Sequence, residues 1–563
     1  MLYALYVFHY SVNVPYADDW NMIPIVVAAV HGHLTLSALW TQYVAGRPVI
    51  ARLVLVGFGL LDHLNERSVM LFGAGIFIAS FVLVLLLFRS YVGRRLTFVP
   101  VVSLAIVWFS LADFPNALFS LQLVVFLEVF FFAAMAYLLL APRHHRNLFF
   151  ALGIVAAIAA SLSFLQGFAV WPVGLICILW VTPWGRRTYY ESAIWLSAAA
   201  ITAVTYLHGY NTGNSTCLAE GGHRGACSAT FGLLHPVELI RYFIVLVGNV
   251  VPTSVPSLQA RYLLAYELLG AVICVVAVFV VVQSIRELRR QASPLPLVLV
   301  AFGLLFDLMI ALGHLGEGLL SAGIARFTMP NLILLVGIVV YAWGHVPSLQ
   351  QTRGPIIGRE RFKSLGFAAL IACLVVQCVV TTQFGITKGS ALERTNVTIA
   401  RVAVNLDRIP VPRQPCYFES TVIGTPFFYL AYVRSLAEQN RLSVFQSGTR
   451  HLYRIEGPPT LPQCDQSLYV VTESLATGKT GTRYSATLTA AGGKPPYVWS
   501  VAAGHGVLPK GLLLDASTGV ISGTPRLHGT FFFSVTVTEH KPGRTKTRSH
   551  ATYPHSVWIN VRR

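Results

Sequence analysis

Residues 69–88 read VMLFGAGIFIASFVLVLLLF, twenty positions without a charge, and Arg89 follows at once. A helix rises about 1.5 Å per residue, so a run of this length covers the ~30 Å of hydrocarbon in a bilayer. Only a structure that satisfies its own backbone can cross there, and a continuous apolar run fits a helix. Working outward, comparable runs lie near 97–112, 118–141, 147–164, 168–182, 190–208, 261–283, 294–313, 327–346 and 364–382. With the short opening MLYALYVFHYSVNV the chain is expected to cross about eleven times. That opening has no basic n-region and no clear cleavage site, so either the first helix is abbreviated or the true start lies upstream.

Charged residues make up 11% of the 563, against roughly 25% in a soluble domain, which excludes an ordinary soluble enzyme. The formal net charge of +18 is not a nucleic-acid surface, because the cations fall in small clusters between apolar runs. The clusters are Arg89, Arg94 and Arg95; Arg143 and Arg146; Arg186 and Arg187; Arg286, Arg289 and Arg290; and Arg353, Arg359, Arg361 and Lys363. All fall on one side if the N-terminus is cytoplasmic. The opposite, outer face then receives 13–68, 113–117, 165–167, 209–260, 314–326 and everything after 382. Stretches 48–64 and 235–251 would reverse the charge bias if they crossed, so they are expected to lie in the interface or re-enter.

Cys177, Cys274, Cys373 and Cys378 sit in apolar runs as small hydrophobes. Cys217, Cys227, Cys416 and Cys464 all fall on the outer face. An oxidising compartment would permit two disulfides there, Cys217 with Cys227 and Cys416 with Cys464.

The chain divides into a transmembrane domain at 1–382, an outer-face segment at 383–476 and an all-β sandwich at 477–563. In the middle segment RLSVF and HLYRI suggest short strands and FFYLAYVRSLAEQ a helix. In the last, YSATLTA, YVWSVAA, LLLDASTGVISG and FFFSVTVTE are β-prone and separated by GG, PP and GTP turns. Trp499 is a core candidate, and Gly519 and Gly523 suit tight turns. TGTRYSATLTAAGGKPPYVWSV and LPKGLLLDASTGVISGTPRLHGTFFFSVTV resemble the bacterial immunoglobulin-like module, which implies a spacer, adhesion or carbohydrate-contacting role.

Unusual polar residues concentrate on the outer face. Asp18, Asp19 and Trp20 follow the first helix in NVPYADDWNMIP. Adjacent carboxylates beside apolar surface are costly unless paired, and invite a cation or a base role; the bland reading makes Asp19 an N-cap. The same face carries His31, His33, Arg47, Arg52, Asn116, Gln122, Gln166, His314, Glu317 and Arg326. Arg326 opens an apolar run, where a phosphate would satisfy its bidentate fork. His31 and His33 could join the aspartates on a metal, but their spacing is generic.

Residues 1–380 resemble the GT-C superfamily of polyprenyl-phosphate-sugar-dependent membrane glycosyltransferases. The likeness extends to a bacterial membrane family with ADDW, HR, ENxxWGxQ, NGxxxWP and SRY elements. Here these stand as Ala17-Asp18-Asp19-Trp20, Arg47 alone, Asn116 to Gln122 without the acid and tryptophan, Gln166-Gly167 to Trp171-Pro172, and Ala325-Arg326-Phe327. The resemblance implies a GT-C-like helical membrane fold in the bacterial cytoplasmic membrane and sugar transfer from a polyprenyl-phosphate-linked donor to an envelope glycan or glycolipid. Asp18 or Asp19 would be the base. Arg326, helped by Arg47 or Arg52, would hold the donor phosphate. Trp20, Asn116, Gln122, Gln166, His314 and Glu317 would shape the sugar and acceptor sites. The cofactor is open, with a divalent cation as one candidate. The competing classes are a non-catalytic envelope scaffold or adhesion protein and a lipid or polysaccharide transporter.

Overall fold

The computed structural model describes the chain apart from residues 44–45, 94–96, 141–144, 182–183, 211–228, 252–255, 288–292, 346–357, 411–412, 420–426, 458, 460, 462–463, 465–467, 473 and 540–554. Cys217 and Cys227 lie outside the described residues.

Among the described residues, eight helices are long and apolar enough to cross a membrane: Glu66–Val92, Phe98–Ala117, Ser120–Leu140, Arg146–Ser163, Arg261–Arg286, Leu295–Glu317, Ala325–His345 and Phe367–Val404. The 168–182 run forms the shorter apolar helix Leu165–Val181. The 190–208 run belongs to Arg186–Leu207, which opens on two arginines and carries Glu191, and is not among the eight. The first helix, Leu2–Tyr10, has 9 residues. The two ambiguous stretches form Val49–Asp62 and Pro236–Val247, of 14 and 12 residues. At about 1.5 Å per residue they reach about 21 and 18 Å, short of the hydrocarbon thickness.

The helical core is aromatic. Phe132 stacks on Phe302 at 3.7 Å between ring centroids, and Phe77 on Trp108 at 5.5 Å. Several long helices lose regular α-geometry at their ends. Tight 3-10 turns occupy Leu111–Asp113, Ser120–Gln122, Leu165–Ala169, Leu315–Glu317 and Ala325–Phe327. The Ala325–Phe327 turn packs on 111–117, and Ser120–Gln122 packs on the turn Ala17–Met22. Such 3-10 turns are common at helix ends and as connectors.

The last membrane-length helix runs through residue 382 to Val404, so the composition change at 383 does not end an element. At roughly 1.5 Å per residue its 38 positions extend well beyond a bilayer. Its tip joins a second core in which Ile399, Val402 and Val404 meet Val14, Trp20 and Met22 of the first loop and Leu430, Val433 and Phe445 of the following segment. FFYLAYVRSLAEQ is the helix Phe427–Gln439. RLSVF and HLYRI are not strands: they contribute to the 3-10 turn Ser443–Phe445 and the helix Ser447–Tyr453. Four or five alternating residues do not distinguish a strand from a short helix when tertiary contacts decide. Cys416 and Cys464 form a disulfide.

The C-terminal region is a sandwich of antiparallel and mixed sheets. Strands β1 (Tyr469–Val470) and β4 (Ala490–Ala491) pair; β2 (Gly478–Lys479), β9 (His555–Arg562), β8 (Gly529–Glu539) and β5 (Tyr497–Gly506) form one sheet in that order; β3 (Tyr484–Thr487), β7 (Val520–Gly523) and β6 (Leu512–Leu514) form another. Alternating residues Phe533, Val535 and Val537 bury one face against Trp499, Ile521 and Ile559. Leu468 and Val470 belong to this core, which therefore begins ahead of residue 477.

Candidate functional site

The turn Ala17–Met22 presents the two aspartates differently. Asp19 is buried; one carboxylate oxygen accepts the Tyr16 N–H at 3.0 Å and the other accepts the Leu121 N–H at 2.9 Å. It therefore ties the first loop to the turn Ser120–Gln122. Burial pushes its carboxyl up to about 7, opposed by the Tyr16 and Leu121 donors and by the nearby Ser120 hydroxyl, with the negative charge of Asp18 adding to the rise. Asp18 is only half-buried and hydrogen-bonds the Tyr43 hydroxyl, which also accepts from Asn21 Nδ2 at 3.1 Å. Burial first, and the Asp18 charge second, raise the Tyr43 hydroxyl. Ala17, immediately before Asp18, has φ 45°, a left-handed conformation that costs an L-residue about 1 kcal/mol and re-aims the chain at this point.

The charges of Arg326 and Asp19 both reach Tyr16. Tyr16 is half-buried, and burial raises its hydroxyl, with Asp19 adding to the rise and the Arg326 cation opposing it. The guanidinium lies over Phe327, 5.0 Å from the ring centroid, and the His314 imidazole packs on the same ring at 4.7 Å. His314 Nδ1 is 2.9 Å from Glu317 Oε1. Tyr242, which shares a hydrogen bond of 2.8 Å with Ser321, has a hydroxyl raised chiefly by burial and also by Glu317, while Arg326 opposes the rise. The backbone carbonyl of Arg326 accepts from Asn116 Nδ2 at 2.9 Å, and the same amide nitrogen donates to Asp113. Arg326 Nε is buried without a hydrogen-bond partner, and Arg326 forms no ion pair among the described residues. Asp18, Asp19, Asn116, His314, Glu317 and Arg326 are thus connected through Tyr16, Phe327 and the 111–122 segment.

Other residues grouped with them by sequence are committed elsewhere. Arg47 donates from Nη1 to the Trp40 carbonyl at 3.1 Å and from Nη2 to that of His208 at 2.8 Å. Arg52 donates to the carbonyls of Leu39 and Thr41, and burial lowers its guanidinium to about 10. Arg52 therefore fastens the 39–41 backbone and Arg47 ties Trp40 to His208, with the Nε of each, like that of Arg326, buried without a partner. Trp20 is fully buried in the second core, which leaves its indole no face for an acceptor. Gln166 is buried with Oε1 lacking a partner, and Gln122 is half-buried. His31 and His33 are exposed beyond the helix Ile23–Val30, and no group of three or more His, Cys, Asp or Glu that could hold a metal occurs among the described residues.

Sequence reasoning missed Glu66, Asp113, Tyr43 and Tyr242. Glu66 is buried beside Ser120 and near Asp19, and its N–H donates to Asn13 Oδ1 at 2.9 Å. Its only local signal was an acidic residue opening an apolar run, which also describes a helix cap.

Together these features define a protein with eight membrane-length helices among the described residues, a polar cluster at the irregular helix ends and a C-terminal β-sandwich. Residues 467–553 match the family described as Putative Ig domain, so the sandwich is immunoglobulin-like. Among solved structures, one described as a putative alpha-galactosidase from Bacteroides fragilis NCTC 9343 is similar at 18% identity, over 18% of this chain and 19% of that one, with a TM-score of 0.14. The chain thus spans about a fifth of that protein. No curated protein matches the chain.

Proposed function

We propose that this chain is a GT-C-like membrane glycosyltransferase. It moves a sugar from a polyprenyl-phosphate-linked donor to an envelope glycan or glycolipid at the outer face of the bacterial cytoplasmic membrane. The observation that carries the reading is Arg326: a partly buried cation, without an ion pair among the described residues, at the end of a membrane-length helix, whose charge reaches Tyr16 as that of Asp19 does. A lipid phosphate would supply the anion that Arg326 lacks.

In this reading Asp18 is the base. It takes the proton of the acceptor hydroxyl as that oxygen forms a bond to the anomeric carbon. The bond from that carbon to the phosphate oxygen breaks, and the lipid phosphate leaves with the electron pair, its charge met by Arg326. Tyr43 orients Asp18 through their hydrogen bond, and Asp19 anchors the turn. Asn116 fixes the backbone of Arg326, and His314 with Glu317 supports Phe327 beneath the guanidinium. Arg47 and Arg52 act structurally. The immunoglobulin-like domain is a spacer on the outer side, and the N-terminus is cytoplasmic.

Native mass spectrometry of the detergent-solubilised protein with polyprenyl phosphate and with the uncharged polyprenol tests this. Wild type and Asp18→Asn should retain the phosphate over the alcohol by at least about tenfold, and Arg326→Ala should lose that preference. Equal retention of the two lipids by wild type, or an unchanged preference in Arg326→Ala, would remove the basis for the reading and favour an envelope scaffold.

A further inference from the structure

The acidic turn is not held by the membrane helices alone. Asn13, buried five residues before Asp18, donates from Nδ2 to the Ser443 carbonyl at 3.2 Å and to Thr449 Oγ1 at 3.3 Å. Its Oδ1 accepts the Glu66 N–H at 2.9 Å and the Ser443 hydroxyl at 3.3 Å. Ser443 N–H donates to the His63 carbonyl at 2.8 Å, and Gln446 Nε2 donates to the Asp62 carbonyl at 2.8 Å and that of His63 at 3.0 Å. The 441–449 segment thus grips the first outer loop at both ends, near Asn13 and near Asp62 to Glu66.

Strained backbone gathers at this junction. Among the described residues the non-glycine positions with positive φ are Ala17, His63, Leu64, Arg441 and Ser443. All belong to the acidic turn, the end of the first outer loop or the segment that grips it. Such conformations persist only where surrounding contacts hold them. The gripping segment is itself closed by the Cys416–Cys464 disulfide, whose partners are 48 positions apart, and Cys464 and Tyr417 sit in the same core as Trp20 and Val14. Cys416 is only half-buried.

We propose that the 441–449 segment, enclosed by the Cys416–Cys464 disulfide, is a redox-sensitive clamp that holds the loop carrying Asp18 and Asp19 in its strained shape, with Asn13 as the positioning residue. A dithiol reductant attacks the disulfide from the side of the half-buried Cys416, Cys464 being buried, by thiol–disulfide exchange. Its two thiols pass two electrons and two protons to the cysteines and close into the reductant's own disulfide, leaving Cys416 and Cys464 as thiols. The segment then loses its closure, and the loop relaxes. This holds whether or not the chain transfers a sugar.

The test is hydrogen exchange on the full-length solubilised protein, oxidised, reduced with dithiothreitol and reoxidised, with thiol alkylation confirming each state. Reduction should lower protection of amides in 12–22, including Tyr16 and Asp19, by at least tenfold. Reoxidation should restore it, and strand β8 and the helix Leu123–Leu140 should stay unchanged. A Cys416→Ser, Cys464→Ser double variant should reproduce the reduced pattern and separate this bond from the other cysteines. Oxidised Asn13→Ala should show the same local loss, with part of it recovered in Asn13→Asp, which keeps acceptors for Glu66 and Ser443. Protection of 12–22 unchanged within twofold after complete reduction would overturn the clamp. So would a loss spread evenly over β8 and the helices, and because reduction is applied to protein already folded, failure of a variant to fold leaves the test standing.

Discussion

Raising the pH from 5 to 8 should loosen the acidic turn, and Asp19 sets the size of the effect. Its carboxyl is held at about 7 in the folded loop, against 3.8 when solvated. A carboxyl raised in the folded state means that the closed loop binds the proton more tightly than the open one. The closed loop is therefore favoured below the solvated value and loses that advantage as pH climbs from about 4 to about 7. Linkage with these two values makes the closed loop less stable at pH 8 than at pH 5 by about 3 kcal/mol, on the order of a hundredfold in the opening equilibrium. The Tyr16 and Leu121 donors keep the rise from being larger, because they stabilise the ionised form. Hydrogen exchange of amides 14–22 at several pH values, corrected for intrinsic exchange, measures the effect in the oxidised protein. Asp19→Asn should flatten the dependence, because the amide does not ionise. Flat protection in wild type, or the same slope in Asp19→Asn, would refute this reasoning.

Three further outcomes follow from packing and burial. His555 in β9 is buried, with Nε2 bonded to the Thr472 carbonyl at 3.1 Å, and burial holds its imidazole down at about 4. The folded sandwich resists charging this ring, so it should lose up to about 3 kcal/mol as pH falls from about 6.5 to about 4. Exchange in β8 reads the loss, and His555→Gln should suppress it. Gly519 has φ 70°, and a Cβ there would meet Trp499 Nε1 at 2.7 Å, so Gly519→Ala should cost the sandwich about 2 kcal/mol, seen as a lower denaturation midpoint of that domain. Gly270 lets the Arg261–Arg286 helix approach Pro236–Val247; a Cβ would lie 1.8 Å from the Ile244 carbonyl oxygen. Gly270→Ala should force these helices apart at a cost of about 3 kcal/mol, measured as earlier thermal unfolding in detergent.

The long helices were legible because hydropathy over about twenty residues reports the solvent rather than any one neighbour. Arg186–Leu207 was harder, since Glu191 near its start is ion-paired with both Arg187 and Arg146. The disulfide between Cys416 and Cys464 was one of two pairings that an expected outer face would permit, and the sandwich was legible from its turn glycines and Trp499. The site was half legible. Asp18, Asp19 and Arg326 stand out because charge beside apolar sequence is expensive. Their division of labour was not visible, because it depends on backbone donors at Tyr16 and Leu121 and on Tyr43, which only the fold brings there. Arg47 and Arg52 looked like phosphate ligands because sequence records a guanidinium but not the carbonyls of Trp40, His208, Leu39 and Thr41 that occupy it. The helix in place of HLYRI reflects a tertiary context in which Asn13 and His63 hold the neighbouring segment.

The most direct test of sugar transfer is a single-turnover reaction of the purified oxidised protein. It uses radiolabelled polyprenyl-phosphate sugars prepared from bacterial membranes and fractionated envelope glycans or glycolipids, with a GT-C enzyme of established activity as positive control. The expected result is label moving to an acceptor in wild type, at least a hundredfold slower in Asp18→Asn although the donor is still retained, with Arg326→Ala losing donor retention itself. No transfer by intact wild type while the control works, or transfer at the wild-type rate by Asp18→Asn, would contradict the assignment of Asp18 and Arg326 to a glycosyl-transfer site.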